Sequence, residues 1–447
     1  MDYFLGIDLG TSYFKAGIFD GTGHLKGLGR QKVQHVTNDV ICELPIDVFW
    51  LTLRNCLDEA LQMAGIPATA IRAVSYSSQV NSFILLDAHN APLTPLILWP
   101  DKRASGMELP IENADEILER TGLGIVPDAQ FTIAKINWFK IHRPDIWKRT
   151  AGILSISDFL TFCLTGQKVC DFSTASMIGL LDIKNGCWWK TQLERIGVDV
   201  DMLPPPQKTG TFVGITISNL TGLPPGIPFF SGGLDHHIAA MGAGIPSNGY
   251  ICESTGTVLS CVDYTDSFNP RKNICVAPGL HTGRFYSMMF DENGATSLEW
   301  YQKNHAPEHT IPELLAMAEQ VKPGCDGLTA HPYANKYPGL DGFVPLKGYH
   351  YRHGHFVRAL LESTARSLQK MVDEMKKDEQ VKAIVASGGG SRSNLWIKIK
   401  SEIIQVPFLV PESTELSCMG AAMIGALGTK TFNDYDSLVS TWVRFKR

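Results

Sequence analysis

"FLGIDLGTSYFKAGIFD", residues Phe4 to Asp20, poses the first structural question of the chain. Two short apolar runs are joined by Asp8-Leu9-Gly10-Thr11-Ser12, and apolar alternation resumes at once. The local reading is strand, turn, strand. A turn of this composition has two uses. Asp and Gly are ordinary turn formers in a hairpin. The same loop also suits a phosphate, because Gly10 lets the backbone approach without a Cβ while Thr11 and Ser12 bring hydroxyl and amide donors. Asp8 would repel a phosphate, so in that use it holds Mg²⁺, directly or through water, with the metal bridging phosphate oxygens. Lys15 adds a positive charge nearby. Taken alone, the stretch leaves both uses open.

At 447 residues the chain exceeds one ordinary core, and two domains are expected. A hydrophobic share of 44% and a charged share of 19% describe a soluble globular protein. The formal net charge of −5, with no Lys/Arg cluster, argues against nucleic acid or an anionic membrane as partner. A small-molecule substrate is therefore expected. The 10 cysteines are irregularly spaced and contain no Cys-x-x-Cys, as in reduced thiols of a cytoplasmic protein. Asp2 stands where a secretory leader carries positive charge, and no apolar run is long enough for a membrane span. Cytoplasmic localisation follows as the expectation.

Strand-like runs alternate with amphipathic stretches along the chain, which predicts an α/β protein. "FLGID", "KAGIF", "AVSYS" and "FILLD" read as strands. "IDVFWLTLRNCLDEALQMAG" reads as a helix, with Val48, Leu51, Leu53, Leu57, Leu61 and Ala64 near helical spacing and Gly65 as its C-cap. Later, "GYICESTGTVLSCVDY" repeats the opening design of strand, Gly-Thr turn and strand, which suggests two related domains. "VKAIVASGGGSRSNLWIKIKSEIIQ" reads as strand, glycine-rich turn and helix, a setting in which a nucleotide meets backbone donors at a helix N-terminus. The small residues of "CMGAAMIGALG" permit close approach to a flat ligand or a neighbouring helix.

In "SGGLDHH", two glycines precede Asp235 at the start of a helical run. Asp235 suits either the acceptor that orients a substrate hydroxyl or an N-cap. His236 and His237 are adjacent and cannot share a helix face, so a metal pair there is not expected. "GYHYRHGH" offers His350, His353 and His355 without Cys or carboxylate at a known ligand spacing, and reads as a polar loop entering a helix at Phe356.

Together these segments resemble the FGGY carbohydrate kinase family, in the family's order and over nearly the whole chain. "GIDLGTS" is similar to the first phosphate motif, and "AVSYSSQVNSFILLDAHNAPLTPLILWPDKRA" to the segment whose Gln leads into substrate-contacting positions. "FTIAKINWFK" is similar to the first signature. "SGGLDHHIAAMGAG" resembles the segment carrying the catalytic Asp, "ESTGTVLSC" the second phosphate motif, and "SGGGSRSNLWIKIKSEIIQVPF" with "MGAA" the adenosine-binding segment. The resemblance implies two actin-like (ribonuclease H-like) domains with a central interdomain cleft, residues 1–240 and 241–447. It implies transfer of the γ-phosphoryl of ATP to a sugar or polyol hydroxyl, with Asp235 as base and Asp8 as the Mg²⁺ residue. Thr11, Ser12, Lys15, Gly256 and Thr257 would surround the phosphates, and Gly389, Gly390 and Asn394 would contact adenosine. Gln79, Val80, Asn81, Asp235 and His236 would face the sugar, with a ketopentose preferred over polyols and sugar acids. A homodimer is the family's common state. Other uses of an actin-like core are a nucleotide switch and a catalytically weak sugar sensor. Three departures stand out: Gln79-Val80-Asn81 replaces the Gln-Met-His or Gln-Gly-His of xylulokinase-like members, His236 stands where relatives often carry Asn or Gln, and Leu346 stands where the second signature has Gly.

Overall fold

In the computed structural model the opening stretch is a hairpin. Strand Tyr3–Leu9 pairs antiparallel with strand Tyr13–Asp20, which sets Asp8 opposite Lys15. Strand Ile71–Ser78 runs parallel along the other side of Tyr3–Leu9, with Asp8 beside Ser77. The structure describes residues 2–109, 113–346, 350–376 and 380–446. Residues 347–349, the end of the loop ahead of "GYHYRHGH" together with that motif's Gly348 and Tyr349, lie outside them.

Two compact units divide the chain. The first comprises Met1–Ser247, Tyr264–Ser287 and Glu415–Val443; the second comprises Asn248–Asp263, Met288–Thr414 and Arg444–Arg447. In the first unit the main sheet has the order Phe212–Ile215, Pro228–Phe230, Ile71–Ser78, Tyr3–Leu9, Tyr13–Asp20, Leu25–Lys32. Both faces of its central strands are buried, because helix Ile46–Ala64 covers one side and helix Leu416–Gly428 the other. Gly65 caps the first of these helices at φ 66°, as its position predicts. Its buried stripe is Phe49, Leu53, Cys56, Leu57 and Ala60, whereas Leu51 is exposed. Leu53 and Leu57 of the expected face are thus buried and Val48, Leu61 and Ala64 half-buried, while Phe49 and Cys56 take the place expected of Leu51.

The helix Leu416–Gly428 shows what its small residues are for. A Cβ on Gly420 would lie 2.0 Å from the Ile238 carbonyl oxygen, and one on Gly242 would lie 2.2 Å from that of Leu416. The backbones of helices Asp235–Gly242 and Leu416–Gly428 therefore cross in direct contact. The "MGAA" run faces a helix and a sheet of the first unit.

The second unit repeats the opening design. Strand Ile251–Thr255 pairs antiparallel with Leu259–Thr265 and parallel with Ile384–Ser387, and Phe408–Leu409 extends the parallel side. Helix Asn394–Ile404 follows the glycine turn, and the long helix His353–Lys376 buries Phe356, Leu360, Thr364, Leu368, Met371 and Met375 along one face. That helix begins at His353, three residues ahead of the expected Phe356. Among the described residues no helix is long and apolar enough to cross a membrane.

Candidate active site

Asp8, one residue from the end of the first strand, sits among charges. Ser77 Oγ donates to Asp8 Oδ1 at 3.0 Å, and Lys15 Nζ lies 3.6 Å from Asp8 Oδ2 and 2.8 Å from Glu415 Oε2. Burial pushes the Asp8 carboxyl up to about 6; Lys15 opposes this, and the charges of Asp235 and Glu415 add to it. For Lys15, burial works against the ammonium, but Asp8 and Glu415 outweigh it and hold the group above the usual lysine range. Glu415, arriving from the far end of the sequence, was not anticipated; nothing in "PESTEL" distinguishes it from a loop carboxylate.

Asp235 is the first residue of its helix. The N-cap position is Leu234, so the side chain is not a cap, and its Oδ1 accepts the His236 N–H at 2.8 Å. Gly232 and Gly233 permit this placement: a Cβ on Gly232 would lie 1.8 Å from the Tyr76 carbonyl oxygen. Ser173 Oγ accepts the Leu234 N–H at 2.9 Å and lies 2.8 Å from His237 Nδ1. The two histidines part as expected. His236 Nε2 lies 4.0 Å from Asp235 Oδ1, while buried His237 stacks on Tyr286 and is pulled down to about 3, first by burial and then by His236.

Gln79 and Asn81 are buried, and their amides are engaged within the protein. Gln79 Oε1 accepts from Thr11 Oγ1 at 3.2 Å and from Ser82 Oγ at 2.9 Å, and Gln79 Nε2 donates to the Gly10 carbonyl at 3.3 Å. Trp99 Nε1 in turn donates to Thr11 Oγ1 at 2.6 Å. Asn81, in the left-handed region at φ 60°, accepts from Thr132 N at 3.0 Å and so holds the start of helix Thr132–His142. Fully buried Lys135 on that helix donates to the carbonyls of Asn81, Leu98 and Trp99 at 3.0, 2.9 and 3.4 Å. Burial pulls it down to about 7 against the pull of Asp101. Asp101 is itself fixed by Arg103 through paired bonds of 2.7 and 2.9 Å. Val80 is half-buried and Ser12 exposed. A lone Lys in the apolar run "TIAKINWF" was the available signal for this buried cation.

In the second unit, Gly256 and Thr257 form the turn of the second hairpin. Its first strand is anchored by an ion pair with both side chains fully buried: Lys400 Nζ lies 2.7 Å from Glu253 Oε1 and 2.6 Å from Thr255 Oγ1. Burial lowers the Lys400 amine even against the Glu253 carboxylate. Gly390 packs on the Thr255 side chain, where a Cβ would approach to 2.7 Å. Beside it opens a cleft of about 610 Å³ lined by Gly389, Gly390, Asn394, Leu298, Ile311 and Leu315 among others. Its apolar walls and glycine floor suit a flat heterocycle. The three residues expected at adenosine thus line one cavity.

Family models settle the wider relationship. The N-terminal domain model of the FGGY family of carbohydrate kinases matches residues 3–242, and the C-terminal domain model matches residues 296–429. The chain belongs to the FGGY family of carbohydrate kinases. An FGGY kinase is an ATP-dependent phosphotransferase with an alcohol group as acceptor, and its fold is a pair of actin-like domains; the hairpin with a parallel neighbour, present once in each unit, is that duplication. The chain is similar to a xylulose kinase of Bacillus subtilis (strain 168), 27% identical over 99% of this chain and 92% of the relative. It is equally similar to a gluconokinase of the same organism, 27% identical over 98% and 89%. Among solved structures, a ligand-bound xylulose kinase from Lactobacillus acidophilus matches with a TM-score of 0.89 at 20% identity, over 100% of this chain and 93% of that one.

Proposed function

We propose that this FGGY kinase phosphorylates a hydroxyl of a small ketose, polyol or sugar acid, with Asp235 accepting the hydroxyl proton. The carrying observation is the position of Asp235: first in its helix, half-exposed, not used as a cap, and near enough to Asp8 to raise its pKa. Ketopentose and sugar-acid substrates both stay in view, since the similar relatives include a xylulose kinase and a gluconokinase.

Asp8 and Glu415 share one ammonium, that of Lys15, and the charge of Asp235 is felt at Asp8, so the cluster carries excess negative charge that suits a divalent cation. Asp8 would hold Mg²⁺, directly or through water, and the ion would neutralise phosphate oxygens. Thr11, Ser12 and Lys15 of the first domain (1–240) and Gly256 and Thr257 of the second (241–447) would surround the phosphates. Gly389, Gly390 and Asn394 would take adenosine in the cleft of the second unit. Val80, Asp235 and His236 would meet the sugar, with Gln79 and Asn81 positioning the loops behind it. A cytoplasmic homodimer agrees with this reading.

The test is a coupled ADP-release screen across ketopentoses, ketohexoses, polyols and aldonates, repeated with Asp235→Asn. A sugar-dependent signal lost in the variant, with ATP binding retained, supports the assignment. Retained turnover in the variant refutes Asp235 as base. Turnover should fall roughly 100-fold or more, the usual contribution of a general base.

A further inference from the structure

His353, left without a carboxylate partner in the sequence reading, meets one in the folded chain. Glu308 and His309 lie in a turn closed by the His309 N–H to the Ala306 carbonyl, immediately before Thr310 caps helix Ile311–Glu319. His353 opens the long helix on the facing side. Glu308 Oε1 lies 3.4 Å from His309 Nε2 and 3.6 Å from His353 Nε2, and one ligand atom of each residue falls within 4.8 Å of the others. Both separations exceed the usual N–H···O range. They approach the edge of a tetrahedron whose bonds are about 2.0–2.1 Å long, an edge of roughly 3.3–3.5 Å. Tyr301 Oη lies 2.9 Å from His353 Nδ1. That contact fixes the ring and leaves Nε2 as the ligand atom when Nδ1 carries the proton, the outer-shell arrangement of metal-bound imidazoles.

We infer that Glu308, His309 and His353 form a binding site for a borderline divalent transition metal, with Zn²⁺ as the fitting ion and water as fourth ligand. Two imidazoles and one carboxylate match the donor preference of Zn²⁺ and not that of Mg²⁺, which takes an octahedral oxygen set. The site is empty. It is partly exposed and therefore open to an aqueous ion, with side-chain exposures of 28% at His309 and 36% at His353. A bound ion would fasten the turn before helix Ile311–Glu319 to the start of helix His353–Lys376. Ile311, Leu315 and Glu319 of the shorter helix line the 610 Å³ cleft, so the ion would brace one wall of that cleft.

The experiment is calorimetric titration of the chelator-treated full chain with Zn²⁺ in excess Mg²⁺, with thermal unfolding and Co²⁺ absorption on the same samples. The expected result is one site per chain that Mg²⁺ does not displace, a tetrahedral Co²⁺ spectrum, and a midpoint raised by several degrees on Zn²⁺ addition. The double variant His309→Ala/His353→Ala should lose at least 100-fold in affinity for this site, and Tyr301→Phe about tenfold. Glu308→Gln, on an exposed turn, keeps the test independent of any folding defect in the double variant. Equal Zn²⁺ affinity and equal thermal shift in wild type, Glu308→Gln and the double variant would overturn the inference. These readouts do not use sugar phosphorylation, so they stand or fall separately from the kinase assignment.

Discussion

The Asp8 cluster makes a prediction in pH that two substitutions should move in opposite directions. Asp8 titrates near 6, well above its ordinary 3.8, because burial and the charges of Asp235 and Glu415 outweigh Lys15 and Ser77. With a pKa near 6, the carboxylate is about 90% ionised at pH 7 and about 10% ionised at pH 5. If ionised Asp8 is required to hold Mg²⁺ at the phosphates, kcat/KM for MgATP falls about tenfold across that interval. Glu415→Gln removes a like charge and frees Lys15 for Asp8, so the acid limb should shift to lower pH. Lys15→Met removes the main opposing charge, so the limb should shift to higher pH. Ionisation of the terminal phosphate of ATP is common to all three proteins and cancels in the comparison. The assay is the pH profile of kcat/KM between pH 5 and 8 for wild type and both variants. An unmoved limb, or a shift of both variants in the same direction, would refute the electrostatic account. The stability consequence has a definite sign. A buried acid with a raised pKa binds its proton more tightly in the native state than in the unfolded state. Native stability therefore declines as pH rises from about 4 to 6, by about 3 kcal/mol in all.

Other perturbations are equally specific. Lys400→Met leaves the Glu253 carboxylate buried without its cation and should cost about 3–5 kcal/mol in the second unit by urea unfolding. Adding Glu253→Gln should recover much of that loss, a coupling absent if the pair contributes nothing. Lys135→Met strips three carbonyls of a donor and should cost about 3 kcal/mol or more, measured by thermal unfolding. Gly420→Ala forces apart helices Asp235–Gly242 and Leu416–Gly428, for a loss of about 1–3 kcal/mol. Steady-state kinetics should show kcat falling more than the KM for ATP, since the displaced residue is Asp235.

Local order was legible in the sequence wherever the signal was local. The strand–turn–strand of Phe4 to Asp20, the αL stop at Gly65, and the strand, glycine turn and helix from Ile384 to Ile404 follow from turn chemistry and periodicity. Alternation was a weaker guide in the central strands, which are buried on both faces and have no polar side to reveal register. What escaped was long-range. Glu415 reaches Lys15 across the whole chain, and Glu308 with His309 reaches His353 from another loop. Gln79 and Asn81 were legible as polar residues near a site, but sequence does not say which way an amide turns. Here Thr11, Ser82 and Thr132 hold them.

The discontinuity of the first unit has a consequence for biosynthesis. Helix Leu416–Gly428, which packs under strand Tyr3–Leu9 and against the helix of Asp235, leaves the ribosome about 170 residues after Ser247. At ordinary elongation rates of about 5–20 residues per second, the preceding sheet waits roughly 10–30 s with one face uncovered. Nascent chains arrested before Leu416 should therefore recruit chaperones through the bare face of Tyr3–Leu9 and Ile71–Ser78. Glu415 emerges just ahead of that helix, so the last carboxylate of the Asp8 cluster arrives together with the segment that closes the fold.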